Sequence, residues 1–348
     1  MADERDTAAE DVHESTDVVI VGAGPVGLFA VFELGMLQIR AALVDALAEA
    51  GGQCRALYPE KPIYDIPGYP EIMAGDLVDK LQAQAAPFKP SYHLGQRVEA
   101  VDAHPSGKGW IVTTSAGTRI ACTAVLIAAG VGAFAPKRPP LQDLSLYENQ
   151  GPGAGVHYMV GKREAFRGKR IVIAGGGDSA LDWTLSLADI AAKVYVVHRR
   201  DKFRAAPESV AKMRELAADP ASPVELVVPY QLAGLSGTDG VLDGVTVATL
   251  DGETRHLAAD ALLPFFGLSQ NLGPIAEWNL NLERNLISVA PSTCETSVPG
   301  IHAIGDIATY PGKLKLILCG FSEAAMAAHA IFGRVYPGDV LHWEYSTT

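Results

Sequence analysis

Two glycine-rich segments have the residue types and spacing to bind phosphate groups. The first, Gly22-Ala23-Gly24-Pro25-Val26-Gly27, follows the β-branched run 18–21 and leads into a helical pattern that extends to about Met36. In such a GxGxxG turn the first glycine permits the bend, the second lets the backbone approach a pyrophosphate, and the third lets helix and strand pack closely. The phosphates then lie at the helix N-terminus, where unpaired N–H groups face the ligand.

The second segment, Gly175-Gly176-Gly177-Asp178-Ser179-Ala180, is a GxGxxA variant of the same turn. It follows the apolar run 171–174, and each turn is followed by a helical pattern and another apolar strand. The residue after that strand lies 23 positions beyond the first glycine in both copies, Asp45 in one and His198 in the other. The equal spacing predicts an internal repeat of one nucleotide-binding unit.

The charge at this shared position distinguishes two ligands. Asp45 ends the first copy, whereas His198 begins a basic run in the second. A carboxylate accepts hydrogen bonds from ribose hydroxyls and repels a 2′-phosphate, which guanidinium groups bind through forked, charge-assisted hydrogen bonds. We therefore expect FAD in the first unit and NADP(H) in the second, although a basic run can also be a solvated loop. The expected contacts are Gly22, Gly24, Gly27 and Asp45 for FAD, and Gly175, Gly177, Ala180, His198, Arg199, Arg200 and Arg204 for NADP(H).

The alternation of strands and helices predicts an α/β protein with two Rossmann-like dinucleotide-binding domains. A late strand at 301–304, a Gly305-Asp306 turn and an Ala-rich helix from about Gly320 to Phe332 are expected to close the first site. The expected domains are a discontinuous FAD-binding domain at 17–135 and 264–348, an NADP(H)-binding domain at 136–263 inserted into it, and a disordered, mostly acidic tail at 1–16.

Composition and charge argue against several kinds of partner. Lysine and arginine number 28 against 40 aspartates and glutamates, and the net charge of −12 argues against binding to nucleic acid or an anionic membrane. Residues 1–16 lack the basic start and apolar stretch of a secretory signal, so we expect a cytoplasmic protein. The spacing of Cys54, Cys122, Cys294 and Cys319 fits neither a disulfide framework nor a metal site.

With these features in place, the chain from about Asp17 onward resembles the two-dinucleotide-binding flavoprotein reductases. The run HRRDKFRA at 198–205 is similar to thioredoxin reductase. Asp306 matches the family's A-x-G-D segment, whose aspartate hydrogen-bonds the ribityl chain, and Ala-Ala-Gly at 128–130 matches its A-T-G strand end. The redox-active cysteine pairs of these enzymes have no counterpart, because 155–160 contains no cysteine and the position five after Cys54 is Pro59.

Further motifs resemble the thioredoxin-reductase-like ferredoxin–NADP⁺ reductases of bacteria. They are GGQ at 51–53, LYPEK at 57–61, IYDIPGY at 63–69, YPGKLKL at 310–316 and a tail ending in YSTT. The resemblance implies that Tyr58 stacks on one flavin face, although a tyrosine can also be ordinary core. The FAD contacts that it implies are Asp45, Gln53, Tyr58, Val98, Phe134, Asp306 and Thr347.

The tail beyond Pro337-Gly338 is more aromatic than a frayed terminus usually is. The resemblance implies that it covers the second flavin face, in cis or from a partner subunit. We expect Tyr345 to stack there, with His342 as the second choice, and Ser346 or Thr347 near the ring. Tyr58, Tyr345 and Ser346 are thus the residues expected around the reacting atoms.

The resemblance implies a homodimeric enzyme that transfers electrons between NADP(H) and ferredoxin or flavodoxin. Hydride would pass between the nicotinamide and flavin N5, and electrons would then leave singly. Two alternatives stay open, an NADPH-dependent flavin thiol/disulfide reductase or peroxidase and a non-catalytic nucleotide-sensing module.

An acidic ferredoxin would need a local basic patch on this acidic chain. Two stretches qualify, although charge runs are more often solvated faces. They are Lys162, Arg163, Arg167, Lys169 and Arg170, and Lys313 and Lys315.

Overall fold

The computed structural model describes residues 12–341, and among these the side chains of 133–135, Leu268 and Gln270 are not described. The chain forms two compact units. The first comprises residues up to 59, 63–134 and from 270 onward, and the second comprises 60–62 and 135–269. Two paired strands, Ala133–Pro136 and Leu268–Asn271, connect the units. Six α-helices lie within the described residues: α1 (Pro25–Met36), α2 (Gly52–Ala56), α3 (Ala74–Ala85), α4 (Asp178–Leu187), α5 (Pro207–Ala218) and α6 (Ile317–Val335).

A five-stranded parallel sheet forms the centre of the first unit. The strand Val18–Val21 lies in its middle and is buried along its whole length. Val18 and Ile20 pack against α1, α3 and α6, whereas Val19 and Val21 pack against a second sheet. The continuous apolar run is therefore explained by burial on both faces. The strands in spatial order are Ile301–Ala303, Ala124–Ile127, Val18–Val21, Ala41–Asp45 and Ser91–Leu94.

The second sheet of this unit has four strands, and one of them was not predicted from the sequence. Its strands in spatial order are Glu14–Ser15, Arg119–Cys122, Trp110–Thr114 and Val98–Ala103. Glu14 and Ser15 pair in parallel with Ile120 and Ala121. The prediction of a disordered tail through residue 16 is thus wrong for this strand. It lies at the sheet edge with its side chains partly or fully in water, so it shows no apolar alternation.

Two further sheets of short strands are formed largely by residues of the first unit. A three-stranded sheet consists of Leu282–Glu283, Leu286–Ser288 and Ala308–Thr309, and a two-stranded sheet consists of Pro62–Ile63 and Ile72–Met73. Helix α6 begins three residues before Gly320, where we expected its start. The residues before it, 313–316, alternate between polar and apolar, which is typical of an extended segment. The start of the helix at Ile317 therefore could not be predicted from this pattern. No helix among residues 12–341 has both the length and the apolar character that crossing a membrane requires.

The second unit repeats the plan of the first. Its strand Arg170–Ala174 lies within another five-stranded parallel sheet. In the first unit Val18 pairs with Ala41, and in the second Ile171 pairs with Val194, the same 23-residue offset. The predicted internal repeat is therefore confirmed. The parallel strands in spatial order are Gly155–Val156, Ala261–Pro264, Arg170–Ala174, Lys193–Val197 and Val224–Val227, and an antiparallel sheet consists of Gln231–Thr238, Val241–Ala248 and Thr254–Ala258.

The glycine turn of the first unit leaves no room for side chains. Gly22 has a φ of +112°, and a Cβ there would lie 2.4 Å from the carbonyl oxygen of Ala128. A Cβ on Gly27 would lie 2.0 Å from the carbonyl oxygen of Gly22. Because both obstacles are backbone atoms, a larger residue could be accommodated only if the helix moved away from the strand.

Two helical glycines give a matched test of this packing. In α6, a Cβ on Gly333 would meet no atom within 4 Å. Gly333→Ala should stabilise the ligand-free protein by about 0.5–1 kcal/mol, because alanine loses less backbone entropy in a helix. Gly27→Ala should destabilise it by about 1–3 kcal/mol through overpacking. Urea unfolding followed by circular dichroism measures both changes. Equal midpoints for the two variants would show that close packing at Gly27 is dispensable.

Candidate functional site

One cavity of about 480 Å³ in the first unit brings together residues from widely separated parts of the chain. It opens at the carboxyl ends of the parallel strands, the usual location of ligand sites in such sheets. The predicted residues on its wall are Gly22, Gly24, Asp45, Gln53, Tyr58, Val98 and Asp306. Gly27 lies behind the turn and acts by packing. The side chain of Phe134 and the tail residues His342, Tyr345, Ser346 and Thr347 lie outside the described part of the structure.

The N-terminus of α1 faces this cavity. Gly24 is the N-cap, none of the described side chains caps the helix, and its first turn carries no acidic residue. The N–H of Gly51 donates to the carbonyl oxygen of Ala23 at 2.8 Å, which ties the turn to the start of α2. The free N–H groups and the helix dipole together favour an anionic group such as a pyrophosphate.

Asp45 is held in a fixed orientation at the edge of the cavity. Its Oδ2 accepts the N–H of Ala23 at 2.7 Å, and its Oδ1 accepts the N–H of Leu47 at 2.8 Å. Burial raises the pKa of this carboxyl, and the two backbone hydrogen bonds oppose that effect. Each carboxylate oxygen retains a further lone pair, so the group can still accept hydrogen bonds from ribose hydroxyls.

Tyr58 forms a second part of the wall, beside the thiol of Cys54. Burial raises the pKa of Tyr58, and hydrogen bonding to Cys54 and the charge of Asp306 add to this effect. The phenol is therefore neutral and presents an uncharged ring. Cys54 is only 3% exposed and packs into the core of the first unit.

Several residues of the cavity wall were not predicted from the sequence. Gln96 and Arg97 follow the strand Ser91–Leu94, and Leu272 and Ile275 come from the C-terminal part of the chain. The side chain of Gln96 accepts the hydroxyl of Thr114 at 2.7 Å. The rule that ligands bind beyond the carboxyl ends of strands could have found Gln96. Leu272 and Ile275 belong to no motif, so the sequence carried no signal for them.

In the second unit, the basic loop is fastened to the glycine turn. The carbonyl oxygen of Gly176 accepts the N–H of Arg204 at 2.7 Å, and Oδ1 of Asp178 accepts the N–H of Ala206 at 2.9 Å. A Cβ on Gly176 would lie 2.4 Å from Nε2 of His198, so the imidazole packs directly on the turn. The glycine motif thus fixes the position of the loop as well as the start of α4.

The cations of this loop differ in their surroundings. Burial lowers the pKa of His198, a hydrogen bond with the backbone of Lys202 opposes this, and the charges of Arg199, Arg204 and Arg200 lower it further, so the imidazole is largely neutral near pH 7. The three arginines are exposed. None of them forms an ion pair with another residue between 12 and 341, whereas the nearby Arg214 binds Asp201. Their guanidinium groups remain available to an anion.

The basic stretches that we considered for partner binding are largely neutralised. Arg163, Arg167 and Arg170 form ion pairs with Asp189, Glu164 and Asp260, respectively. The side chain of Lys313 is 5% exposed and binds Glu323, so its assignment to a surface patch is wrong. In the sequence Lys313 forms a short basic run with Lys315, and its pairing with Glu323, ten residues further on, leaves no local signal.

The cysteines do not form a redox pair. All four lie within the described residues, and none of them is in a disulfide there. Burial raises the pKa of both Cys122 and Cys294 to about 12, so these thiols stay protonated and are poor nucleophiles.

Comparisons with known proteins agree with this geometry. Solved structures of thioredoxin reductases from T. acidophilum and Lactococcus lactis match 92% of this chain and 99% of theirs, with TM-scores of 0.78 and 0.77 at 22% and 23% identity. The fold therefore consists of two Rossmann-like domains. A ferredoxin–NADP reductase of Paramagnetospirillum magneticum is 61% identical over 336 residues, covering 97% of both chains. One of Granulibacter bethesdensis is 62% identical, covering 96% of this chain and 93% of its own.

The pyridine nucleotide-disulphide oxidoreductase model matches residues 16–329. The chain therefore belongs to the pyridine nucleotide-disulphide oxidoreductase family, in the group whose members are named ferredoxin–NADP reductase.

Proposed function

We propose that this protein is a ferredoxin–NADP⁺ reductase that passes electrons between NADP(H) and ferredoxin through FAD. One observation carries the proposal. Two copies of one nucleotide-binding unit end in opposite charges, Asp45 in the first and exposed arginines in the second, in a chain without a paired cysteine. The whole-length identity to proteins of that name supports it.

The cavity of the first unit suits FAD. The glycine turn provides the close backbone approach and free N–H groups that a pyrophosphate needs, and Asp45 provides acceptors for the adenosine ribose. Gln53, Tyr58, Val98 and Asp306 would bind the flavin half, by resemblance to the family and by their position on the wall. Bound FAD supplies the exchange between two-electron hydride chemistry and one-electron transfer.

The protein's own residues bind and orient the two nucleotides, and they exclude water from them. Tyr58 offers a neutral ring, and buried Val98 offers an apolar surface, so neither contributes a proton at the cavity. Hydride transfer requires no acid or base from the chain, which agrees with a wall built mainly from glycine and apolar residues. In the second unit Arg199, Arg200 and Arg204 would bind the 2′-phosphate of NADP(H), beside the neutral imidazole of His198.

The proposal extends to partners, by resemblance, and to location. We propose that flavodoxin can replace ferredoxin, that the protein is a homodimer, and that it acts in the cytoplasm. The location is consistent with four cysteines that form no disulfide among the described residues.

The nucleotide preference tests the assignment of the second unit. Arg199→Ala combined with Arg200→Ala should raise the KM for NADPH about 10- to 100-fold, because charge-assisted hydrogen bonds are lost. The KM for NADH, which lacks the phosphate, should change by less than about twofold. Arg167→Ala with Lys169→Ala removes equal charge elsewhere on this unit and should leave both constants unchanged. Equal losses for NADPH and NADH would contradict the assignment.

The thiol alternative is tested at Cys54, which is the cysteine on the cavity wall. Cys54→Ser removes the thiol and retains a hydrogen-bonding partner for Tyr58. The rate of NADPH-dependent ferredoxin reduction should stay within about threefold of wild type. The substitution itself should lower the free energy of unfolding by at most about 1–2 kcal/mol. Abolished turnover in a folded, flavin-loaded variant would favour a thiol reductase. If the protein reduced neither ferredoxin nor a disulfide reagent, the result would favour the sensing module.

The tail provides a third test, which rests on the sequence alone. Deleting residues 342–348 should leave FAD bound, because its other contacts persist, and should expose the ring to oxygen and so raise NADPH oxidase activity. Tyr345→Ala should reproduce this rise if Tyr345 covers the ring, and His342→Ala should reproduce it if His342 does. An unchanged flavin spectrum and unchanged kinetics after the deletion would rule out a covering role.

A further inference from the structure

Glu323, in the second turn of α6, is fully buried although its side chain is acidic. Its two oxygens accept three hydrogen bonds. Oε2 accepts the N–H of Gly305 at 2.7 Å, and Oε1 accepts the hydroxyl of Tyr310 at 2.7 Å and the Nζ of Lys313. A single carboxylate thus joins α6 to the turn that carries Asp306.

Close packing brings this carboxylate to the turn. Gly320 lies one turn earlier in α6, and a Cβ there would come within 2.4 Å of Val26 and 3.4 Å of the Cα of Gly305. Gly305 has a φ of +74°, a conformation that favours glycine. The turn, α1 and α6 are therefore in van der Waals contact, and the position of Gly305 depends on the residues of α6.

The ion pair is closed to water on both sides. The side chain of Lys313 is 5% exposed and that of Glu323 is 0% exposed. A buried ion pair is seldom more stable than well-packed apolar residues of the same size, because both charges must be desolvated. Stability alone therefore explains this cluster poorly. Its geometry, with one oxygen directed at a backbone N–H next to Asp306, points to a role in placing that residue.

We propose that Glu323 is a positioning residue for FAD, which fixes the Gly305-Asp306 turn so that the Asp306 carboxylate faces the cavity. The inference rests on FAD as the ligand of that cavity. Lys313 and Tyr310 hold Glu323 in place. The charges around Asp306 agree with this arrangement, because burial raises its pKa, Lys315 and Lys313 lower it, and Glu323 raises it. Lys313 thus offsets a carboxylate that would otherwise favour protonation of Asp306.

Two double variants of the full chain test the hydrogen bonds that Glu323 accepts, with the one from Gly305 foremost. Glu323→Gln with Lys313→Met removes both charges and keeps an oxygen that can accept the N–H. Glu323→Leu with Lys313→Met removes both charges and leaves the buried N–H without an acceptor. The two proteins differ in the side-chain amide, which can accept the N–H of Gly305 or the hydroxyl of Tyr310, and neither contains an unpaired buried charge.

Titration of the flavin-free proteins with FAD gives the dissociation constants, and ADP as a competitor reports the Asp45 region separately. The leucine variant should bind FAD about 10- to 100-fold more weakly than wild type, as expected for an unsatisfied buried donor. It should bind ADP unchanged, and the glutamine variant should recover most of the FAD affinity. A parallel loss for FAD and ADP, or equal FAD affinity in the two variants, would overturn the inference.

A separate control tests whether charge alone explains the effect. Lys315→Met removes an exposed cation that acts on Asp306 without contacting Glu323. It should leave FAD affinity within about threefold, and a loss equal to that of the leucine variant would refute positioning. Glu323→Asp replaces the leucine variant if that protein does not fold, because it keeps the ion pair and shortens the side chain by one methylene. Wild-type FAD affinity in this variant would likewise contradict the role. Failure of the wild-type protein itself to bind FAD would instead reject the proposed function.

Discussion

The contact between backbone atoms at the first glycine turn is the constraint on which the first unit depends. Gly22 lies against the carbonyl of Ala128, and Gly27 lies against the carbonyl of Gly22, at distances that exclude any Cβ. This contact sets the separation of α1 from the central strand and directs the N–H groups at the start of α1 toward the cavity. The adjacent strand then places Asp45 within hydrogen-bonding distance of Ala23. An anion site and a ribose site thus follow from a single close approach.

The second unit uses the same backbone plan with different charges. Its strands pair with the same offset, and its glycine turn again receives the chain that follows the next strand. In the first unit that chain presents a carboxylate, and in the second it presents three exposed guanidinium groups. The difference between the two sites is therefore electrostatic, because the backbone geometry that binds phosphate is shared. Charge-assisted contacts of about 1.5–3 kcal/mol each are large enough to separate NADPH from NADH.

The lysines and arginines of this acidic chain fall into two groups, those paired with carboxylates and those that face solvent. All three arginines of the basic stretch 162–170 are neutralised by carboxylates, and Lys313 is turned inward to pair with Glu323. Other cations, such as those of the 199–204 loop, face solvent. The distribution indicates that individual cations have local tasks, in ion pairs, at a phosphate site or beside Asp306. A patch for an acidic partner would have to be assembled from the few cations that remain exposed.

The sequence by itself determined the two glycine turns, the strands before them, the 23-residue repeat and the contrast between Asp45 and the arginines. These features are local, because residue type fixes the permitted φ, the burial of a β-branched run and the charge at a given register. Only the tertiary structure decided that Gln96, Leu272 and Ile275 line the cavity and that Glu14 begins an edge strand. It alone revealed that Lys313 is buried against Glu323 and that Glu323 binds Gly305. Each of these contacts joins residues whose neighbours in sequence carry no motif, so their meeting depends on how helices and sheets pack.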